Sequence, residues 1–252
     1  KYSPSYTNRG AAHMRADRAD MAIRDFTEAI VLNPSEAINF NNRGAIYRDI
    51  KQYDRSLADL TEALRLNPEY ENAYINRGIT YIYKHEIESS RSDFSEAIKR
   101  DKHLLTKAHL LRGITNYYGG HFEESEKDFR QIESRFSMGE YAKIWIEILL
   151  RRNSNPAPIR DRPKSAEIIE WPAPINGMLK GELLPDAVVT AARDKSPKKT
   201  KKQMCEAAFY IGQYALLNDN QPTARTLLRE AQSKCASDAP EALAAFLDPA
   251  AR

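Results

Sequence analysis

The chain has 252 residues, 42% of them hydrophobic, enough to build one large core or two small ones and too many for a disordered tail. Its formal net charge of +3 and pI near 8.7 fall short of the strong basicity of a dedicated nucleic-acid domain. Its longest apolar stretches, such as 144–150, are far shorter than the roughly 18–20 residues needed to cross a bilayer.

From the N-terminus, three tripeptides recur 34 residues apart, Asn8-Arg9-Gly10, Asn42-Arg43-Gly44 and Asn76-Arg77-Gly78, and Leu111-Arg112-Gly113 follows after 35. Four positions before each glycine stand Tyr6, Phe40, Tyr74 and His109; sixteen after it stand Phe26, Leu60, Phe94 and Phe129. Small residues recur as well, Ala22, Ser56, Ser90 and Ser125 twelve after, and Ala29, Ala63 and Ala97 nineteen after, where the fourth unit has the larger Ile132. A pair of antiparallel helices accounts for this mixture, because small residues let the two backbones approach while bulky ones fill the space beside them. Pro34 and Pro68 then stop each second helix.

These rows resemble the signature of the tetratricopeptide repeat family over residues 3–137. The resemblance implies an all-α, right-handed superhelical solenoid of antiparallel helix pairs, about five repeats plus capping helices. In the fourth unit His109 and Asn116 replace aromatic residues and Ser137 stands where proline is usual, so looser packing is expected there.

After the four units of 1–137, residues 138–152 carry Ile144, Trp145, Ile148 and Leu149 on one helical stripe and read as a capping helix or half-repeat. Seven of the thirteen prolines fall between 153 and 197, so 153–202 reads as a linker with two short helices. The repeat pattern reopens at Gly212, with Ala224, Leu228 and Ala231 at the recurrent distances, giving a last unit at 203–236. Residues 237–252 form a capping helix and tail, introduced by Asp238-Ala239-Pro240. This order of parts looks like bacterial envelope lipoproteins of the tetratricopeptide class, mainly over 171–231. That resemblance implies an adaptor in the periplasm or at the envelope, with a wall hydrolase or a protease among its partners.

The two cysteines, Cys205 and Cys235, fall at the start of one helix and the end of its antiparallel neighbour, ends that lie side by side. A disulfide is therefore expected, with an oxidising compartment; unbridged, the pair would pack as two small apolar thiols in a cytoplasmic protein.

No chemistry-bearing motif stands out. The five histidines show no metal-ligand spacing, no Gly-rich phosphate loop or nucleophile elbow occurs, and Gly119-Gly120 reads as the turn inside the fourth unit. No catalysis, metal or cofactor is expected. The expected function is a protein-interaction scaffold holding a peptide or protein segment in the concave groove lined by the first helix of each repeat. The groove positions are Ile38, Asn41, Ala45 and Arg48 in the second unit, Asn72, Ile75, Ile79 and Ile82 in the third, and Lys107, Leu110, Ile114 and Tyr117 in the fourth. The isoleucines have packing as an equal alternative, whereas the amides of Asn41 and Asn72 suit a peptide backbone and Arg48 or Lys107 an acidic group. Thr7 and Ala11 at the corresponding places argue against a clamp for chaperone C-termini. Two alternatives remain open: polyanion binding through the basic run Lys-Ser-Pro-Lys-Lys-Thr-Lys-Lys at 195–202, otherwise a solvated loop, beside the basic linker from Arg151 to Lys164, and self-assembly through open solenoid ends into a homo-oligomer.

Overall fold

The computed structural model describes residues 3–100, 106–134, 138–154, 171–194 and 196–251. Among these residues the chain forms fourteen α-helices, one short 3-10 turn and no strand. They divide into two compact units, 1–108 and 109–252.

The first unit contains three hairpins: α1 (Ser3–Arg15) with α2 (Ala19–Leu32), α3 (Ala37–Asp49) with α4 (Tyr53–Leu66), and α5 (Glu71–Tyr83) with α6 (Ile87–Arg100). The recurrent glycines sit where the helices of a hairpin touch. A Cβ built on Gly44 would lie 2.9 Å from Leu60 Cγ, and one on Gly78 would lie 2.8 Å from Phe94 Cε1. Phe26, Leu60, Phe94, Ala29, Ala63 and Ala97 are all fully buried, so the small and bulky rows form the interior of each hairpin.

Each hairpin turns through one residue in the left-handed region, seven after the glycine: Asp17, Lys51, His85, Gly120 and Asp219, with φ between 57° and 81°. The next residue's N–H closes the turn on a carbonyl five positions back, Gln52 to Tyr47 at 2.7 Å and Glu86 to Tyr81 at 2.9 Å, which satisfies the end of the first helix. The same closure joins His121 to Asn116 and Asn220 to Ala215, so five hairpins share one turn.

The second unit takes up α7 (Thr106–Tyr118) from His109 onward, paired with α8 (Phe122–Ile132). Its packing is not looser. A Cβ on Gly113 would stand only 2.6 Å from Phe129 Cε1, the tightest such approach to a ring in the described repeats. Two of the three departures from the pattern share a carboxylate instead, Ser137 lying outside the described residues: His109 Nδ1 lies 3.0 Å from Asp128 Oδ1, and Asn116 Nδ2 donates to Asp128 Oδ2 at 3.1 Å. Gly113→Ala is expected to cost about 1–3 kcal/mol because the Phe129 ring must leave its site. Adding Phe129→Leu should return part of that loss; denaturant unfolding of the two variants checks the coupling.

Helix α9 (Gly139–Ser154) packs on α8 and carries Trp145 into the centre of the unit. Of the expected linker, 155–170 lie outside the described residues. The two short helices are α10 (Ala173–Leu179) and α11 (Pro185–Ala191), and they bury Ile175, Met178, Leu179 and Val188 in the same core as Trp145. The basic run is not a loop. Its described part forms the opening turns of α12 (Pro197–Leu217), with Pro197 at a first-turn position where a missing N–H costs nothing. Helix α12 pairs with α13 (Gln221–Lys234), and α14 (Pro240–Leu247) lies over both. The disulfide Cys205–Cys235 joins α12 to the end of α13 with 5.4 Å between Cα atoms.

Candidate functional site

Two polar systems run through the repeats. The first is structural and was missed at the sequence level. The arginine of each Asn-Arg-Gly or Leu-Arg-Gly reaches an aspartate sixteen residues on, in the second helix of its own hairpin, through two parallel hydrogen bonds. Arg43 Nε and Nη2 donate to Asp59 at 2.7 and 2.8 Å, and Arg77 donates to Asp93 at 2.8 Å twice. Arg9 with Asp25 and Arg112 with Asp128 repeat the geometry. Arg43 and Arg77 also donate to Thr27 and Thr61 of the preceding hairpin, so these two forks fasten one repeat to the next. The recurrence of Asp25, Asp59, Asp93 and Asp128 fifteen after each glycine was the available signal.

The balance of forces differs along this row. The Arg9 hydrogen bond holds Asp25 below the usual carboxylate range. Burial pushes Asp128 up, but His109 and Arg112 together outweigh it and leave it low. At Asp93 burial wins over Arg77 and the carboxyl is raised.

The second system lies on the first helices of the first unit. These pack against one another, α1 on α3 and α3 on α5, and form the inner layer. Arg48 Nη1 donates to Asn76 Oδ1 at 3.2 Å, and Asn76 Nδ2 donates to Asn41 Oδ1 at 2.9 Å, so a ladder of side chains crosses from α3 to α5. Asn41 also donates to Asn42 Oδ1, and Arg48 is held by Asp49 at 2.8 Å. The structure thus brings Asn41 and Arg48 together through Asn76, a residue that entered the sequence reading only as part of the repeat marker.

The other groove positions divide by exposure. Ile38 is 42% exposed and Asn72 is exposed, one turn from Asn41 and Asn76 respectively, so they stand on the faces that carry the ladder. Ala45 is half-buried. Asn41 and Arg48 are each 5% exposed, and Ile75, Ile79 and Ile82 are buried. Lys107 is half-buried on the first turn of α7. Leu110, Ile114 and Tyr117 belong to the core of the second unit, where Tyr117 packs edge-on against Trp145 at 5.5 Å and carries the Arg152 guanidinium over its ring.

An open cleft of about 490 Å³ lies at the α3–α4 turn, lined by Lys51, Gln52, Tyr53, Asp54, Arg55 and Lys84. Its main cation is already balanced, since Lys84 Nζ meets Asp54 at 2.6 Å. Lys198, Lys199, Lys201 and Lys202 are exposed on α12; of the neighbouring basic segment, Arg151 is paired with Glu147 and 155–164 lie outside the described residues. Among the described residues no three His, Cys, Asp or Glu side chains group as metal ligands, and no helix is long and apolar enough to cross a membrane.

The fold defines a class: an all-α repeat scaffold of antiparallel helix hairpins. Residues 44–82 match the family model described as TPR repeat. A tetratricopeptide repeat protein from Parabacteroides merdae resembles it over 97% of this chain and 84% of its own, with a TM-score of 0.60 at 17% identity. The crystal structure of MamA covers 51% of this chain and 74% of its own, with a TM-score of 0.48 at 21% identity. The second TPR of Spaghetti (RPAP3), bound to the HSP90 peptide SRMEEVD, covers 39% of this chain and 92% of its own, with a TM-score of 0.39 at 23% identity. At 17% identity the likeness to the Parabacteroides merdae protein shows the fold alone. No curated protein matches the sequence.

Proposed function

We propose that the protein is a non-catalytic scaffold that captures an extended peptide segment on the inner helices of its first unit. The observation that carries this reading is the strip formed by exposed Ile38 and Asn72 beside the hydrogen-bonded series Asn41, Asn76 and Arg48. The ladder fixes the helix faces on which Asn72 and Ile38 stand, where an exposed amide meets a peptide backbone and an exposed isoleucine supplies apolar contact. Asn72 and Ile38 are the contact residues in this reading. Arg48, engaged with Asp49 and Asn76, holds the ladder in shape instead of meeting the ligand directly.

The protein works outside the cytosol, at a bacterial envelope, in the same reading. The Cys205–Cys235 bridge supports that placement, because such bonds persist where thiols are not kept reduced.

A phage-displayed library of random twelve-residue peptides, selected on the immobilised full chain, tests the surface. Selected peptides are expected to lose about tenfold in affinity with Ile38→Asp or Asn72→Ala, while helicity and melting stay as in the wild type, since both side chains are exposed. A library that yields no binder, or binders indifferent to both changes, would remove the inner-helix strip as the site.

A further inference from the structure

Helix α14 covers the end of the α12–α13 hairpin with Leu243, Ala244, Ala245 and Leu247, all buried. Beneath its first turn the core contains two carboxylates, Glu206 of α12 and Glu241 of α14, which are 2% and 3% exposed. Their partners come from three segments. Tyr141 of α9 and the Trp171 indole both donate to Glu206 Oε2, at 2.9 and 2.6 Å, and Tyr210 of α12 donates to Glu241 Oε1 at 3.1 Å. Among the described residues Lys202 supplies a cation: its Nζ stands 3.5 Å from Glu206 Oε1, and its charge also acts on Glu241. Helix α13 turns its charges elsewhere, Arg229 to the Ala251 carbonyl and Glu230 to Lys234. At the far end of α14, Asp248 is held separately by Tyr118 and Gln213.

Glu241, buried in the same core as a second carboxylate, gains a charge there only at a cost. We propose that α14 is a pH-dependent latch, docked while the buried carboxyl of Glu241 is protonated and loosened when it is charged. Loosening uncovers the apolar end of the α12–α13 hairpin. That end is the face on which a solenoid would add its next helix.

The direction follows from where the proton sits. Burial, and then the charge of Glu206, push Glu241 up to about 7, against 4.5 for a free glutamate. The docked state therefore binds the proton more tightly, and docking weakens as pH rises from 4.5 through 7 and levels off above it. Between pH 5.5 and 8.5 the docking equilibrium should fall roughly 30-fold.

Hydrogen exchange on the full, oxidised chain measures this, with protection in 242–248 followed at pH 5.5 and 8.5 after correction for intrinsic rates. Amides of α3 and α4 in the first unit serve as the internal reference. The expected result is a drop of roughly 30-fold in α14 with the reference unchanged, and equal protection at both pH values in Glu241→Gln. Protection in α14 that ignores pH, or a Glu241→Gln protein that keeps the wild-type drop, overturns the latch. Should Glu241→Gln fail to fold, Glu206→Gln replaces it: a clearly smaller drop supports the pair, and an undiminished one overturns it.

Discussion

Trp145→Ala is expected to destabilise the second unit by about 3–5 kcal/mol, whereas Trp145→Phe should cost less than about 1.5 kcal/mol. The indole is fully buried on α9 and meets five rings: Tyr117 at 5.5 Å, Phe129 at 5.6 Å, Phe209 at 5.8 Å, Tyr118 at 6.4 Å and Tyr210 at 6.5 Å. Those rings belong to α7, α8 and α12, so the tryptophan ties three helices to α9, and its removal leaves a void that none of them can collapse into alone. The indole Nε1 has no hydrogen-bond partner among the described residues. Phenylalanine therefore keeps most of the stacking and deletes an unsatisfied donor, which offsets the lost volume. Urea unfolding followed by circular dichroism separates the two substitutions. Equal costs for Ala and Phe would show that ring packing at this point contributes little.

Loss of the disulfide should be felt nearly as strongly. Cysteines 205 and 235 are 30 residues apart, and the bridge holds α12 to the end of α13 immediately before the chain passes into α14. In the chain-entropy model a loop of that length stabilises by about 3–4 kcal/mol. Cys205→Ser and reduction of the wild type should lower the melting temperature alike, by on the order of 10 °C for a chain of this size. The unreduced protein should show no titratable thiol in denaturant. A reduced wild type that melts with the oxidised one would mean that the bridge constrains little of the unfolded chain; free thiols in protein from its native source would remove the support for an oxidising compartment.

Much of the proposed binding surface was legible in the sequence as position but not as role. The recurrence around Gly44 and Gly78 placed Ile38, Asn41, Arg48, Asn72, Ile75, Ile79 and Ile82 on α3 and α5, because helical periodicity fixes which residues of one helix share a face. It could not rank them. Ile79 and Ile82 are fully buried while Ile38 is 42% exposed, although all three have the same chemistry. Nor could it show that Asn41 and Arg48 bind Asn76, since a side-chain network depends on the distance between neighbouring hairpins, which no single repeat records. The Arg–Asp forks lie between these cases. Both partners recur at a fixed interval, so the pattern was present, but a row of buried aspartates reads as ordinary polar surface until burial is known.

By itself the sequence determined the hairpins: where glycine lets two helices touch, and where the bulky row fills the gap. Both are interactions within about 35 residues, repeated often enough to be seen against the noise of one chain. Only the tertiary structure decided what happens where the repetition stops. Trp145 draws its ring partners from α7 to α12, and Glu206 and Glu241 gather Tyr141, Trp171 and Tyr210 from up to 65 residues away. Each such contact occurs once, and the buried charge, the aromatic cluster and the clasped last helix arise from three-dimensional packing that leaves no period to read.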